Sequence, residues 1–269
     1  MPEKQVLKGI VLRETQTKET DKILTVLTAE HGKLAVIARG ARRRNSRIAA
    51  ASELLAYSEL VVYRRGNWYM LDEGSTLSLW ERVRQDIELL ALASYFAELA
   101  EAVTGEDEPA EELLALLLNS LYALDALGKP PELVRAAFEL KLLSLSGYEP
   151  LLDACAVCGS TAPAEPVFDT AEGVVLCRHC AGPAAGGLQP LDPGSLAAMR
   201  HVLHSARARM LSFRLDGAAQ ARFNRACERF TAAQLDRSFR TLAFYQSLRA
   251  GISQENPAPD AGSTIRPIS

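Results

Sequence analysis

The chain has 269 residues, 48% of them hydrophobic, and a formal net charge of −3. That length suits one large domain or two to three small ones with a substantial core. No apolar run is long enough to cross a bilayer, and the polar start Met1-Pro2-Glu3-Lys4-Gln5 does not resemble an export signal, so a cytoplasmic protein without membrane contact is expected.

Residues 1–80 carry 13 Lys and Arg against 9 Asp and Glu, a net of +4. Residues 4–13 are rich in β-branched and apolar side chains and predict a strand; the polar residues 14–21 predict a loop. Residues 22–28 predict a second strand and 33–39 a third, joined through Glu30-His31-Gly32 as a hairpin. A second hairpin pairs residues 59–64 with 67–71 across Gly66. Five short strands with glycine-marked turns suit a small barrel or sandwich. The oligonucleotide-binding (OB) barrel has this strand number, and its loops and one face take single strands.

The third strand breaks into Arg39, Arg42, Arg43, Arg44 and Arg47, which with Lys33 place six cations within fifteen residues. Gly40 and Asn45 mark a loop. Phosphate backbones suit such a patch, because each neutralised phosphate releases a condensed counterion; the bland alternative is a solvated basic loop. Arg64 and Arg65 at the second hairpin extend the patch, and Tyr57, Tyr63, Trp68 and Tyr69 are candidate stacking platforms for bases. By strand alternation, half of these aromatics are expected inside the barrel.

Residues 81–150 carry 5 Lys and Arg against 14 Asp and Glu, a net of −9. Helical periodicity predicts helices over 81–103, 111–127 and 131–145. After a cysteine-bearing stretch at 151–187, Asp192-Pro193 opens a helix to about residue 210, Asp216 opens another to about 235, and a last one covers 236–248. The expectation is an α+β chain: an OB barrel over 1–80, a helical domain in two parts (81–150 and 188–250), a metal module inserted at 151–187, and a disordered tail over 251–269.

Cys155-x-x-Cys158 and Cys177-x-x-Cys180 are separated by 18 residues. Two tight turns of this kind supply four thiolates to one tetrahedral ion, and the spacing falls in the range of zinc sites. Four protein ligands leave no open position, so one structural Zn²⁺ is expected, with four-thiolate iron and a redox dithiol as the alternatives. His179 would break the symmetric spacing and is expected to be a bystander. Cys227 sits on a helical pattern and suits a buried small hydrophobe. His201 and His204 are three apart on one helix, a spacing that a packed or solvated pair explains. No phosphate-binding loop, nucleophile elbow or zinc-protease signature is present, so no catalytic residue is assigned.

The runs Lys8-Gly9-Ile10-Val11-Leu12, Thr20-Asp21-Lys22-Ile23-Leu24-Thr25, Glu30-His31-Gly32-Lys33 and Arg39-Gly40-Ala41-Arg42-Arg43, with the order barrel, helical domain and four-cysteine insert, resemble the RecO family of bacterial recombination mediators. The resemblance covers residues 5–250. It implies a non-enzymatic, nucleoid-associated protein of DNA repair and recombination. Such a protein binds single- and double-stranded DNA, anneals complementary strands, and works with RecR to load RecA on strands coated by single-strand-binding protein. The family's basic barrel loop maps onto Arg39, Arg42, Arg43, Arg44 and Arg47. Some members lack the zinc cysteines; all four are here. For the acidic-apolar tail of single-strand-binding protein, apolar patches or Arg207, Arg209, Arg214, Arg222 and Arg225 are the candidates. Two other classes remain open. An RNA-binding adaptor is one, since the residues do not specify the sugar. The other is an OB-and-zinc fragment of a nucleotidyl-transfer enzyme, against which the missing lysine nucleophile motif counts.

Overall fold

The computed structural model describes residues 3–182 and 187–255. Five strands close a barrel: β1 (Lys4–Thr17), β2 (Asp21–Thr28), β3 (Gly32–Ala38), β4 (Tyr57–Arg65) and β5 (Trp68–Ser78), in the order β1-β2-β3-β5-β4. Inward alternation supplies a core of Leu24, Val26, Leu34, Val36, Leu60 and Val62. β2 and β3 form the hairpin expected from the sequence, with Ile23 opposite Ile37 and Thr25 opposite Ala35. Closure comes from a parallel contact, Val36 opposite Tyr69 and Ile37 opposite Met70. The polar stretch expected as a loop differs: β1 continues to Thr17, past a register shift between Val11 and Arg13, because Glu14, Thr15 and Gln16 pair with β2.

The chain leaves the barrel at Trp80, whose indole Nε1–H donates to the Leu55 carbonyl at 3.0 Å. The helix expected over 81–103 is two helices, α1 (Glu81–Gln85) and α2 (Ile87–Val103). Asp86 sits between them in an extended conformation, and its carboxylate accepts from the Glu88 and Leu89 amides. Local capping therefore outcompetes helical periodicity at that residue. α3 (Glu111–Asp125) and α4 (Pro131–Leu145) follow. Next come the short strands β6 (Val167–Asp169), β7 (Val174–Leu176) and β8 (Leu188–Pro190), in the order β7-β6-β8. α5 (Pro193–His204), α6 (Gly217–Leu235) and α7 (Arg240–Glu255) end the described chain. α5 stops six residues short of the expected end. α7 runs past 251, and the rest of the expected tail, with 183–186 of the cysteine region, lies outside the described residues.

Barrel and helices share a hydrophobic core: Ile10, Leu12 and Leu27 of the outer barrel wall cluster with Phe96, Leu117 and Phe138 of the helices. Backbone hydrogen bonds from Lys33 to Gly105 (3.1 Å) and from Ala110 to Ala29 (2.8 Å) pin the β2–β3 turn to the segment between α2 and α3. Gly32 stands there at φ +58°, where a Cβ would lie 2.4 Å from the Glu108 carbonyl oxygen. Among the described residues no helix is long and apolar enough to cross a membrane.

Candidate nucleic-acid interface and metal centre

The basic loop leaves the end of β3 and folds back on the β1–β2 turn. The Gly40 amide donates to Asp21 Oδ1 at 2.8 Å, the Arg42 amide to the Thr20 carbonyl at 3.0 Å, and the Arg42 guanidinium to the Glu19 carbonyl at 3.0 Å. The Gly40 N–H holds the Asp21 carboxyl below its usual range. Arg39, Arg42, Arg43, Arg44 and Arg47 are all exposed, and among the described residues none of them forms an ion pair with a carboxylate. Arg39 and Arg43 line an open cup of about 560 Å³ with Lys18, which adopts the left-handed conformation at φ 51°. Sequence reasoning missed Lys18: one lysine in a polar turn has no local signal, and only the fold-back of the loop brings it beside the arginines.

The other residues separate. Lys33 stands at the opposite end of β3, its ammonium donating to the Glu101 carbonyl at 3.1 Å, against the helices rather than in the loop. The parallel register places the Arg64–Trp68 turn behind the start of β5, so Arg64 and Arg65 leave the β3–β5 pair from the end away from Arg39. Arg64 lies over the Tyr69 ring, 5.9 Å from its centroid. Trp68 is 43% exposed. Tyr69 packs on the barrel core and Tyr57 on the shared core, which leaves Trp68 as the exposed platform of that turn.

The four cysteines converge. Their sulfurs all lie within 4.8 Å of one another, and Cys158 Sγ is 3.7 Å from Cys177 Sγ. A tetrahedral four-sulfur shell with metal–sulfur bonds of ~2.3 Å has sulfur–sulfur edges of about 3.8 Å, so the donor set fits a thiophilic ion. Each pair sits on a tight turn: the Gly159 amide returns to the Cys155 carbonyl, and the Cys180 and Ala181 amides to the Cys177 carbonyl. Amide donation led by Cys158 holds the Cys155 thiol down at about 6, while burial pushes Cys180 up to about 12. His179 is exposed and outside the cluster, and Cys227 is buried.

The module is bolted to the helices. Arg200 of α5 donates to the carbonyls of Leu152, Asp153 and Thr161, His204 meets Asp153 at 3.1 Å, and Phe168 packs edge-on against Phe230 of α6.

A closed OB-type barrel with a cationic loop, fused to a helical bundle that carries a four-cysteine module, defines the architectural class. Comparison with known proteins narrows it. The family model described as Recombination protein O N terminal matches residues 1–80, and Recombination protein O C terminal matches residues 84–243. Proteins named DNA repair protein RecO are similar along most of their length. That of Acetivibrio thermocellus is 31% identical over 89% of this chain and 95% of its own, and that of Symbiobacterium thermophilum 34% over 90% and 96%. That of Anaeromyxobacter dehalogenans strain 2CP-C is 36% identical over 90% and 96%. The chain belongs to the RecO family.

Proposed function

We propose that this protein is a non-catalytic mediator of DNA repair and recombination that binds single- and double-stranded DNA and anneals complementary strands. The observation that carries the reading is the cluster of exposed arginines, unpaired by any described carboxylate, at one end of an OB-type barrel in a RecO-family chain. Annealing needs no catalytic group: a basic surface screens the repulsion between two phosphate backbones. By the same family relation, it works in the cytoplasm with RecR and single-strand-binding protein to load RecA. The four cysteines hold one structural Zn²⁺, which fixes the module against α5 and α6 rather than contacting DNA.

The test replaces Arg42, Arg43 and Arg44 with alanine together. The log–log salt dependence of oligonucleotide binding then loses about two to three in magnitude. Binding with an unchanged slope would remove the loop from the interface.

A further inference from the structure

An open cleft of about 650 Å³ separates the outer face of the barrel from the start of α7, lined among others by Arg13, Lys33, Glu98, Glu101, Arg237 and Arg240. Its carboxylates are already engaged. Arg13 Nε donates to both Glu101 carboxylate oxygens at 3.0 and 3.1 Å, and Arg13 Nη2 lies 2.9 Å from Oε1. Glu98 accepts the Thr241 amide at 3.1 Å and the Thr241 hydroxyl, and Glu14 takes Lys22 at 2.7 Å. Arg237 and Arg240 are exposed and, among the described residues, have no carboxylate partner; Arg237 rests over the Phe239 ring at 5.0 Å. Glu98 keeps its charge, because its two donors are neutral, but Lys33, Arg237 and Arg240 outnumber it, so the cleft presents a net cationic rim above an apolar floor that includes Leu12, Leu54 and Ala102. Its volume suits a nucleotide-sized group.

A continuous surface joins this cleft to the basic loop. Lys33, Ala35, Ile37 and Arg39 alternate outward along β3, while Leu34, Val36 and Ala38 point into the barrel. The register adds cross-strand rows on the same face, Arg13–Thr25–Ala35 and Thr15–Ile23–Ile37. From Lys33 to Arg39 is six strand residues, about 20 Å. The faces of strands 2 and 3 are where OB barrels take oligonucleotides. Cations stand at both ends of this track, with a shallow, mostly uncharged strip between.

Resting on the nucleic-acid reading above, we propose that a bound single strand runs from the basic loop across the outer face of β1–β3 and ends in the cleft. There Arg237 and Arg240 form a second phosphate site and the apolar floor receives a base. An acidic peptide is the competing occupant. The strand is favoured because the cleft continues a track already anchored by phosphate-seeking arginines, and because guanidinium planes stack on bases.

The test measures binding of fluorescent oligo(dT) to the full chain, using one strand that covers the basic loop alone and one that reaches ~20 Å farther. For the longer strand, R237A/R240A lowers the magnitude of the salt slope by about 1.4 and weakens binding roughly ten- to thirtyfold near 0.1 M salt. The shorter strand binds as before. In the unmodified chain, a photoreactive 5-iodouracil at the far end of the longer strand crosslinks to the peptide carrying residues 237–240. Equal binding of the longer strand by both proteins, or equal loss for both strands, overturns the proposal. So does a variant that loses an acidic peptide and keeps DNA. If the unmodified chain ignores both strands, the nucleic-acid reading falls with it. If R42A/R43A/R44A is the only variant with a defect, the cleft alone is excluded.

Discussion

Asp21 Oδ1 accepts the Gly40 amide at 2.8 Å, tying the first residue of β2 to the root of the basic loop. Gly40 is left-handed at φ +65°, so the chain turns sharply there, and the carboxylate fixes the turn from outside. A negative charge beside a cationic patch would by Coulomb's law weaken phosphate binding, so Asp21 is expected to matter through loop order.

The two effects separate with salt. In Asp21→Ala, removing the charge favours DNA binding at low ionic strength, where exposed charges are least screened. At high ionic strength that gain disappears and the disordered loop remains. The expected result is severalfold weaker binding than the unmodified chain at high salt, measured by fluorescence anisotropy. The carboxyl is held below its usual range, so its contribution to loop order is present above the ordinary aspartate pKa and is lost as pH falls through the depressed value. Improved binding at every salt concentration would show that Asp21 acts by charge alone.

The chain's two tryptophans report different places. Trp80 is 8% exposed and hydrogen-bonded to Leu55 at the barrel–helix junction, whereas Trp68 is 43% exposed beside the Arg64–Tyr69 contact. If Trp68 stacks on bases, oligo(dT) quenches part of the intrinsic fluorescence, and Trp68→Ala abolishes the quench. Binding weakens by about 1–3 kcal/mol, the range for one stacked base. A quench that survives Trp68→Ala would place the stacking elsewhere.

Legibility followed the range of the signal. The β2–β3 hairpin was readable because alternation and the Glu30-His31-Gly32 turn are local, and the cysteine spacing carries its ligand geometry with it. The parallel β3–β5 contact has no local signature, so sequence proximity groups Arg64 and Arg65 with the loop, whereas the register sends them to the other end. Proximity in sequence puts Lys33 in the patch, yet six residues of extended strand carry it to the helical domain. The break at Asp86 was hidden because the apolar periodicity continues through it. Arg237 and Arg240 carry no local signal: only the fold brings them into one cleft with Arg13 and Lys33.

Removal of the metal is expected to act locally. The cysteine turns connect to the helices through Arg200, His204 and Phe168, whereas the inner core of the barrel is a separate cluster. Elemental analysis is expected to find about one zinc per chain in the unmodified protein and none in Cys155→Ser or Cys177→Ser. Hydrogen exchange is then expected to show lost protection in β6 and β7, with β2 and β3 unchanged. Oligonucleotide affinity changes less than in the loop variants. A barrel that unfolds with the module would give the metal a wider role.

Arg135 is buried in the helical domain, 4% exposed, and holds Glu132 at 2.9 Å, Glu139 at 3.1 Å and Glu228 at 2.8 Å. Glu139 is fully buried, takes the Tyr95 hydroxyl at 3.0 Å, and among the described residues has no hydrogen-bond partner for its second carboxylate oxygen. One guanidinium shared among three acids compensates each incompletely, so burial wins at Glu139 and pushes its carboxyl up to about 7. Arg135→Ala would strand those acids; breaking such a buried set costs about 3–5 kcal/mol, or roughly 10 °C in Tm at this size. Glu139→Gln tests the titration itself. A folded pKa above the unfolded one means that the native state binds the extra proton, so this group stabilises the fold fully below the unfolded value near 4.5. That contribution is lost as pH rises through about 7. Glutamine carries no proton to lose. The Tm of Glu139→Gln relative to the unmodified chain is therefore expected to climb between pH 5 and 8, whatever its offset at pH 5. A difference that stays flat or falls over that range would mean that Arg135 keeps Glu139 ionised in the folded state.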